Sequence, residues 1–183
     1  MSIHIQDVGA SLDRVVTLLG SIPGAVPKAS GAALKRAGET ARTHAGRLAA
    51  AEYHISAGAF AGNSKQTVKS SDTGMTIKFA GRVLSLMTFH VRYSRGGLMF
   101  AKVKRSSGGG TLRHVFTANL GGGLGAFERV GKSRFPLSKK HGPSTAHMMQ
   151  NENVSEEMGK IIGETYNKRI EHEITRILSG YGR

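Results

Sequence analysis

Hydrophobic positions in the first part of the chain recur at helical spacing. Val8, Leu12, Val15, Val16 and Leu19 fall on one face, with Asp7 placed to cap the run and Gly20, Ser21 and Pro23 placed to end it. This pattern predicts a short amphipathic helix. A longer helix is expected from about Pro27, a residue suited to a first helical turn, to Tyr53. Along it Ala29, Ala33, Ala37, Ala41, Ala45 and Leu48 line a narrow face whose small side chains allow close approach of a sheet or another helix. Gly31, Gly38 and Gly46 oppose this helix, each costing up to about 1 kcal/mol relative to alanine in a helix interior.

From His54 to Val130 the texture changes to short apolar alternations broken by glycine: MTIKFAG, VLSLMTFHVRY, LMFAKVKR, TLRHVFTANL and AFERVG. In MTIKF and FAKVK apolar and polar side chains alternate at period two, as half-buried strands require. An antiparallel sheet with basic outward residues is expected. The glycine-rich stretches RSSGGGTL and LGGGLGAF read either as hairpin loops or as segments that order only against a partner. In the last part Val154, Met158, Ile161, Ile162, Tyr166, Ile170, Ile174, Ile177 and Leu178 mark one helical face. Asn153 and Glu156 have capping-box spacing, Gly180 stands at the C-terminal stop, and Glu156, Glu157 and Arg176 suit the helix dipole.

The expected fold class is α+β within a single domain over residues 1–183. It comprises a helical N-terminal part (1–53), a central antiparallel β-sheet with Gly-rich loops (54–131), an extended basic proline-containing arm (132–151) and a long C-terminal amphipathic helix (152–180).

Charge sharpens this picture. The chain carries 26 Lys and Arg against 12 Asp and Glu, a formal net charge of +14. Residues 1–60 hold 6 basic and 4 acidic side chains, 61–143 hold 15 and 2, and 144–183 hold 5 and 6. The central segment therefore accounts for +13, and such an excess points to an acidic partner: nucleic acid, an anionic membrane or an acidic protein face. With no cysteine, the fold depends on neither disulfides nor thiolate metal sites, which fits a reducing cytosol. The opening MSIHIQDVGASLDRVV lacks a basic segment followed by a long apolar run, and no stretch of 18 apolar residues occurs. A soluble chain without a cleaved signal peptide or a membrane partner is expected.

Two stretches imitate nucleotide-binding loops. AFERVGKS, residues 126–133, fits a relaxed phosphate-loop spacing, but Arg134, Phe135 and Pro136 follow where a helix should start, and Phe127 and Glu128 put bulk and negative charge where phosphates would lie. GGGLGA, residues 121–126, fits a permissive dinucleotide spacing without the following helix or an acid near position 145. The aspartates Asp7, Asp13 and Asp72 follow no apolar strand suited to a magnesium-binding site. His141 and His147 flank a Pro-Ser turn, and His172 in EHEI lacks the second histidine of a zinc helix. Glu171 and Glu173 point to different sides of a helix. No catalytic, cofactor or metal site is expected.

Read onward, the first of these stretches becomes AFERVGKSRFPLSKKHGPSTAHM. Arg129, Gly131, Arg134, Pro136, Leu137, Gly142, Pro143 and Ser144 fall in the order Phe-x-Arg-x-Gly-x-x-Arg-x-Pro-Leu, then Gly-Pro-Ser and a short methionine-containing helix. This resembles the signature of the prophage minor tail protein Z family, the tail-completion proteins of long-tailed bacteriophages. AALKRAGETARTHAGRLAAAEYHIS is similar to the family's Ala-rich helix leading to a Tyr-x-Ile strand, and IEHEITRIL resembles its ending, so the likeness covers most of the chain in order. The chain departs from the family at Lys140, where an apolar residue is usual, and at Thr145 and Ala146, which replace an apolar residue and a proline. Those departures bear on the local docking surface.

The resemblance implies a structural virion protein at the head-proximal end of a phage tail, made in the host cytoplasm, completing the tail and joining it to the head. It implies a ring of like subunits contacting a tail terminator, tail tube or head connector, and no catalysis. Protein contact is then expected at Arg129, Lys132, Arg134, Pro136, Leu137, Lys139, Lys140, Gly142, Pro143 and Ser144, with Pro136 and Pro143 fixing backbone angles and Gly142 allowing a sharp turn. Phe127, Phe135 and Leu137 either serve that docking or pin the strand to the domain's own core. The alternative is a nucleic-acid-binding protein. Lys78, Arg92, Arg95, Lys102, Lys104, Arg105 and Arg113, interleaved with Phe89, Tyr93, Phe100 and Phe116, would meet phage DNA or an acidic protein surface.

Overall fold

Two long helices bury stripes that repeat every fourth residue. In the computed structural model, which describes residues 2–5, 9–70, 74–93, 98–120 and 123–180, helix Ala25–Glu52 buries Ala29, Ala33, Ala37, Ala41, Ala45 and Ala49, each at 0% exposure. Helix Glu152–Leu178 buries Val154, Met158, Ile162, Tyr166, Ile170 and Ile174. A four-residue step overshoots one turn by about 40°, so both stripes follow an oblique ridge, not a straight face. For this reason Ala49 takes the place expected of Leu48, which is half-buried, and Leu178 drifts out to 56% exposure.

In chain order the elements are β1 (Ser2–Ile5), α1 (Gly9–Leu19), α2 (Ala25–Glu52), α3 (Ala57–Asn63), β2 (Lys65–Ser70), β3 (Met75–Ala80), β4 (Val83–Ser85) and a short 3-10 turn (Leu86–Thr88). They continue with β5 (His90–Tyr93), β6 (Met99–Lys102), β7 (Gly110–Leu112), β8 (Val115–Asn119), β9 (Leu124–Arg129), β10 (Leu137–Lys139), β11 (His141–Ser144), α4 (Thr145–Met148) and α5 (Glu152–Leu178). The mixed helix and strand content, antiparallel pairing and long C-terminal helix are those expected from the sequence. Asp7 and Val8, expected at the start of α1, lie outside the described residues.

Several local expectations are corrected. α2 begins at Ala25, ahead of Pro27, and is entered through Gly24 at φ 71°. α5 begins at Glu152, which places Asn153 inside the helix and not at its cap. Its end is as expected: Gly180 adopts φ 79° and donates its N–H to the Ile177 carbonyl at 3.1 Å. The stretch read as one sheet contains a helix, α3, and its strands divide among four small sheets, ordered β1-β3-β2, β10-β9-β8, β11-β4 and β5-β6-β7. Gly81 marks one break, because a side chain there would collide with Thr145.

The described chain divides into two compact units. The first draws on Met1–Ala45, Gln66–Phe79 and Glu152–Arg183, the second on Gly46–Lys65 and Ala80–Asn151. Non-local pairing causes the interleaving. In the first unit β1 pairs with β3, setting Ile3 opposite Ile77, and α1 lies against α5, where Arg14 Nε meets Glu171 Oε1 at 3.2 Å. Alternation in β3 buries Met75, Ile77 and Phe79 and leaves Lys78 exposed, as MTIKF predicts. Gly38 of α2 lets Val68 and the Met75 sulfur approach the helix closely.

The second unit has its own core of Leu86, Met99, Val115 and Ala126, flanked by Met87, Val91, Ala101, Val103 and Leu112. Register explains which side chains enter it. Val91 opposes Ala101, Met99 opposes Leu112, and Val115 and Ala126 share one face of β8-β9-β10. The alternate positions therefore face outward.

Candidate functional site

Charge separates by structural unit. The second unit holds 14 Lys and Arg against two carboxylates, Glu52 and Glu128, whereas the first holds 12 against 10. Of the +14 carried by the chain, +12 belongs to the second unit. Lys78 belongs to the first unit and Arg92, Lys102, Lys104, Arg105 and Arg113 to the second, and Arg95 lies outside the described residues.

The outer face of β8-β9-β10 alternates rings and cations. Register sets Phe116 beside Phe127 and Phe127 beside Lys139, with Arg129 beside Leu137. The Arg129 guanidinium stands 5.4 Å from the Phe116 centroid and Lys139 Nζ stands 6.0 Å from that of Phe127. Each cation is thus attracted to the electron-rich face of a ring. Gly125 makes room for this layer: a Cβ there would lie 2.8 Å from the Phe127 ring and 3.2 Å from Lys139 Cε.

The basic arm is extended but does not leave the sheet. β10 pairs antiparallel with β9, and β11 pairs with β4 across a register shift. Between β9 and β10 the chain reverses in a bend closed by Val130 N–H donating to the Pro136 carbonyl at 3.1 Å and Arg129 Nη1 donating to the Arg134 carbonyl at 2.8 Å. The Phe135–Pro136 peptide is cis. Gly131, Lys132 and Ser133 sit in this bend and β10 follows, so no helix starts where a phosphate loop would need one.

Roles within the motif now divide. On that outer face Phe127 is buried and Leu137 is half-buried, while Phe135 in the bend is 61% exposed. Gly142 packs beneath Phe89, where a side chain would collide with the ring. Ser144 Oγ accepts the His147 N–H at 3.2 Å and caps α4. Lys140 pairs with Glu128, and that bond and charge hold the Glu128 carboxyl below its usual range. Gly142, Ser144 and Lys140 thus make contacts within the unit, while Lys132, Arg134, Phe135 and Pro136 face solvent. His114, Glu128, Arg129, Gly131 and Lys132 line an open hollow of about 460 Å³.

The chain matches no protein-family model, no curated protein and no solved structure. Its surface chemistry is what points to a partner.

A second basic face lies on β5-β6-β7. Register places His90 opposite Lys102 and Arg92 opposite Phe100, on the side away from Met99 and Val91. Phe100 therefore joins the lysine side of FAKVK, and its ring packs over Gly109, which adopts φ 78°. Lys104 Nζ stands 5.9 Å from the centroid of the Tyr53 ring, and Arg105 Nε donates to the Ala50 carbonyl at 2.8 Å. Arg113 is exposed in the turn before β8, next to His114 at φ 64°. Of the aromatic residues expected among these cations, Tyr93 is 53% exposed, Phe100 and Phe116 are half-buried and Phe89 is core.

Sequence reasoning missed His54 and His90, whose ring centroids stand 5.2 Å apart on this face. Burial, then Arg105, Lys102 and His90, push the His54 imidazole below its usual range. Among the described residues no group of three His, Cys, Asp or Glu side chains is placed to hold a metal, and no helix is long and apolar enough to cross a membrane. Two basic faces and a hollow offer anion and acidic-surface binding.

Proposed function

We propose that the chain is a structural component of a bacteriophage tail, acting at the head-proximal end to complete the tail and join it to the head by subunit docking. The observation that carries this reading is the ordered motif of Arg129, Gly131, Arg134, Pro136, Leu137, Gly142, Pro143 and Ser144, which resembles that of the prophage minor tail protein Z family. The exposed residues of that segment, Lys132, Arg134, Phe135 and Pro136, form the docking surface, and the unit's excess charge attracts an acidic neighbour in the particle. Like subunits form a ring with the tail terminator, tail tube or head connector as neighbours. Deleting the gene from the parent phage, with complementation, tests this. Tails that assemble but stay unjoined or non-infectious are expected, and normal infectious particles would end the proposal.

A second reading, a nucleic-acid-binding protein, is favoured by the +12 charge of one unit and its aromatic-cationic faces. Binding to short DNA that weakens steeply with salt is its expected sign. Absent or salt-insensitive binding removes it.

A further inference from the structure

His54, Ile55, Ser56, Phe89, His90 and Arg105 line a groove of about 390 Å³, and no carboxylate is among them. The hydrogen bond from Arg105 Nε to the Ala50 carbonyl holds the guanidinium at its rim. The two imidazoles converge to 5.2 Å, and His54 Nε2 is shielded from solvent with no hydrogen-bond partner. Lys102, opposite His90 in the register, adds positive charge beside them.

We propose that this groove binds a phosphate group and that binding draws a proton onto His54. A phosphate between the imidazoles and Arg105 accepts charge-assisted hydrogen bonds from all three, the pattern in which such bonds are strongest.

In the empty groove a second imidazolium would stand against a first, beside two permanent cations, and like charges disfavour it. This agrees with the direction found for His54: burial is the first cause of its lowered value, and the charged groups acting on it, Arg105, Lys102 and His90, are all of one sign. An anion reverses the local field. Protonation and binding then reinforce one another, and the coupling is reciprocal. The sign follows: His54 is held below its usual range when the groove is empty and is raised when it is filled, so affinity rises as pH falls through the filled-state value and levels off below the empty-state one. A phosphodiester keeps one negative charge through this range, so a pH dependence seen with DNA originates in the protein.

The test is an NMR titration of the histidine ring resonances of the full chain, alone, with inorganic phosphate and with a twelve-base-pair DNA duplex. His54 is expected to titrate about one pH unit higher when the site is occupied, and affinity to rise roughly tenfold per unit of coupling. His54→Gln, checked for native folding by its amide spectrum, is expected to bind with that pH dependence lost. A response to the duplex alone assigns the site to nucleic-acid backbone, and a response to inorganic phosphate assigns it to free phosphate. An unmoved His54 with both probes, or a folded His54→Gln variant that keeps the full pH dependence, overturns the proposal. Neither result depends on whether the chain belongs to a tail, because gene deletion reads particle assembly and the titration reads the groove.

Discussion

At the scale of single residues, two buried or paired groups make opposite contributions. The Tyr166 hydroxyl lies in the stripe of α5, at 2% exposure, with no hydrogen-bond partner among the described residues, and burial pushes its ionisation up. An unsatisfied buried polar group costs about 1–3 kcal/mol. Tyr166→Phe is therefore expected to raise unfolding free energy by roughly 1 kcal/mol in urea titrations, whereas a loss would show that the hydroxyl is bonded in solution. Glu128 behaves the other way. Its carboxyl is lowered from 4.5 by Lys140, so the folded state binds its proton less readily than the unfolded chain does. Its contribution is fully present above that value and fades as pH falls through the lower folded one. Glu128→Gln should lower the urea midpoint at pH 7, and the gap from the parent chain should close in acid. A gap unchanged down to pH 2 would mean the pair is not its source.

Elements show why equal substitutions need not have equal effects. Gly159 and Gly163 lie inside α5 with open space where a Cβ would stand, so alanine at either should stabilise by up to about 1 kcal/mol through helix propensity. Gly46 is also in a helix, but a Cβ there would lie 2.9 Å from the Ala57 carbonyl oxygen. Gly46→Ala is expected to lower the thermal midpoint while Gly159→Ala and Gly163→Ala raise it. A rise in all three would show that α3 yields freely. This contrast also marks what was legible in the sequence. α5 was readable because large apolar side chains repeat along it, and β3 because its alternation is strict. α3 was missed because AGAFAGN holds one large apolar residue; Ser56, whose Oγ accepts the Ala59 N–H at 3.1 Å, was its signal. β11 was missed because HGPS has no alternation and its pairing with β4 is set far along the chain. The motif's residues were legible, but their burial was not: Gly142 depends on Phe89 and Lys140 on Glu128. His54 meets His90 only because the Tyr53–Lys104 bridge and the His54 N–H to Val103 carbonyl bond bring the segment after α2 to the strand.

At the scale of the molecule, the division of charge is the feature that the fold creates from the sequence. The basic segment read along the chain becomes one structural unit at +12, against +2 for the other. If that division directs binding, position and not net charge must decide affinity for a polyanion. Arg92→Glu, Lys102→Glu and Lys104→Glu place three reversals on one face of the second unit, and Lys35→Glu, Arg42→Glu and Lys168→Glu place three at exposed positions of the first. Both sets change net charge equally. The first set is expected to weaken duplex DNA binding at least tenfold, roughly 1.4 kcal/mol, and to flatten the salt dependence by about 0.9 in log-log slope for each phosphate the protein no longer neutralises. The second set is expected to leave the slope unchanged, because counterions are released where cation meets phosphate. Circular dichroism on both sets checks that folding is intact. Equal losses and equal slopes in folded variants would show that the chain responds to its total charge, and the segregation by unit would then need an origin in folding and not in binding.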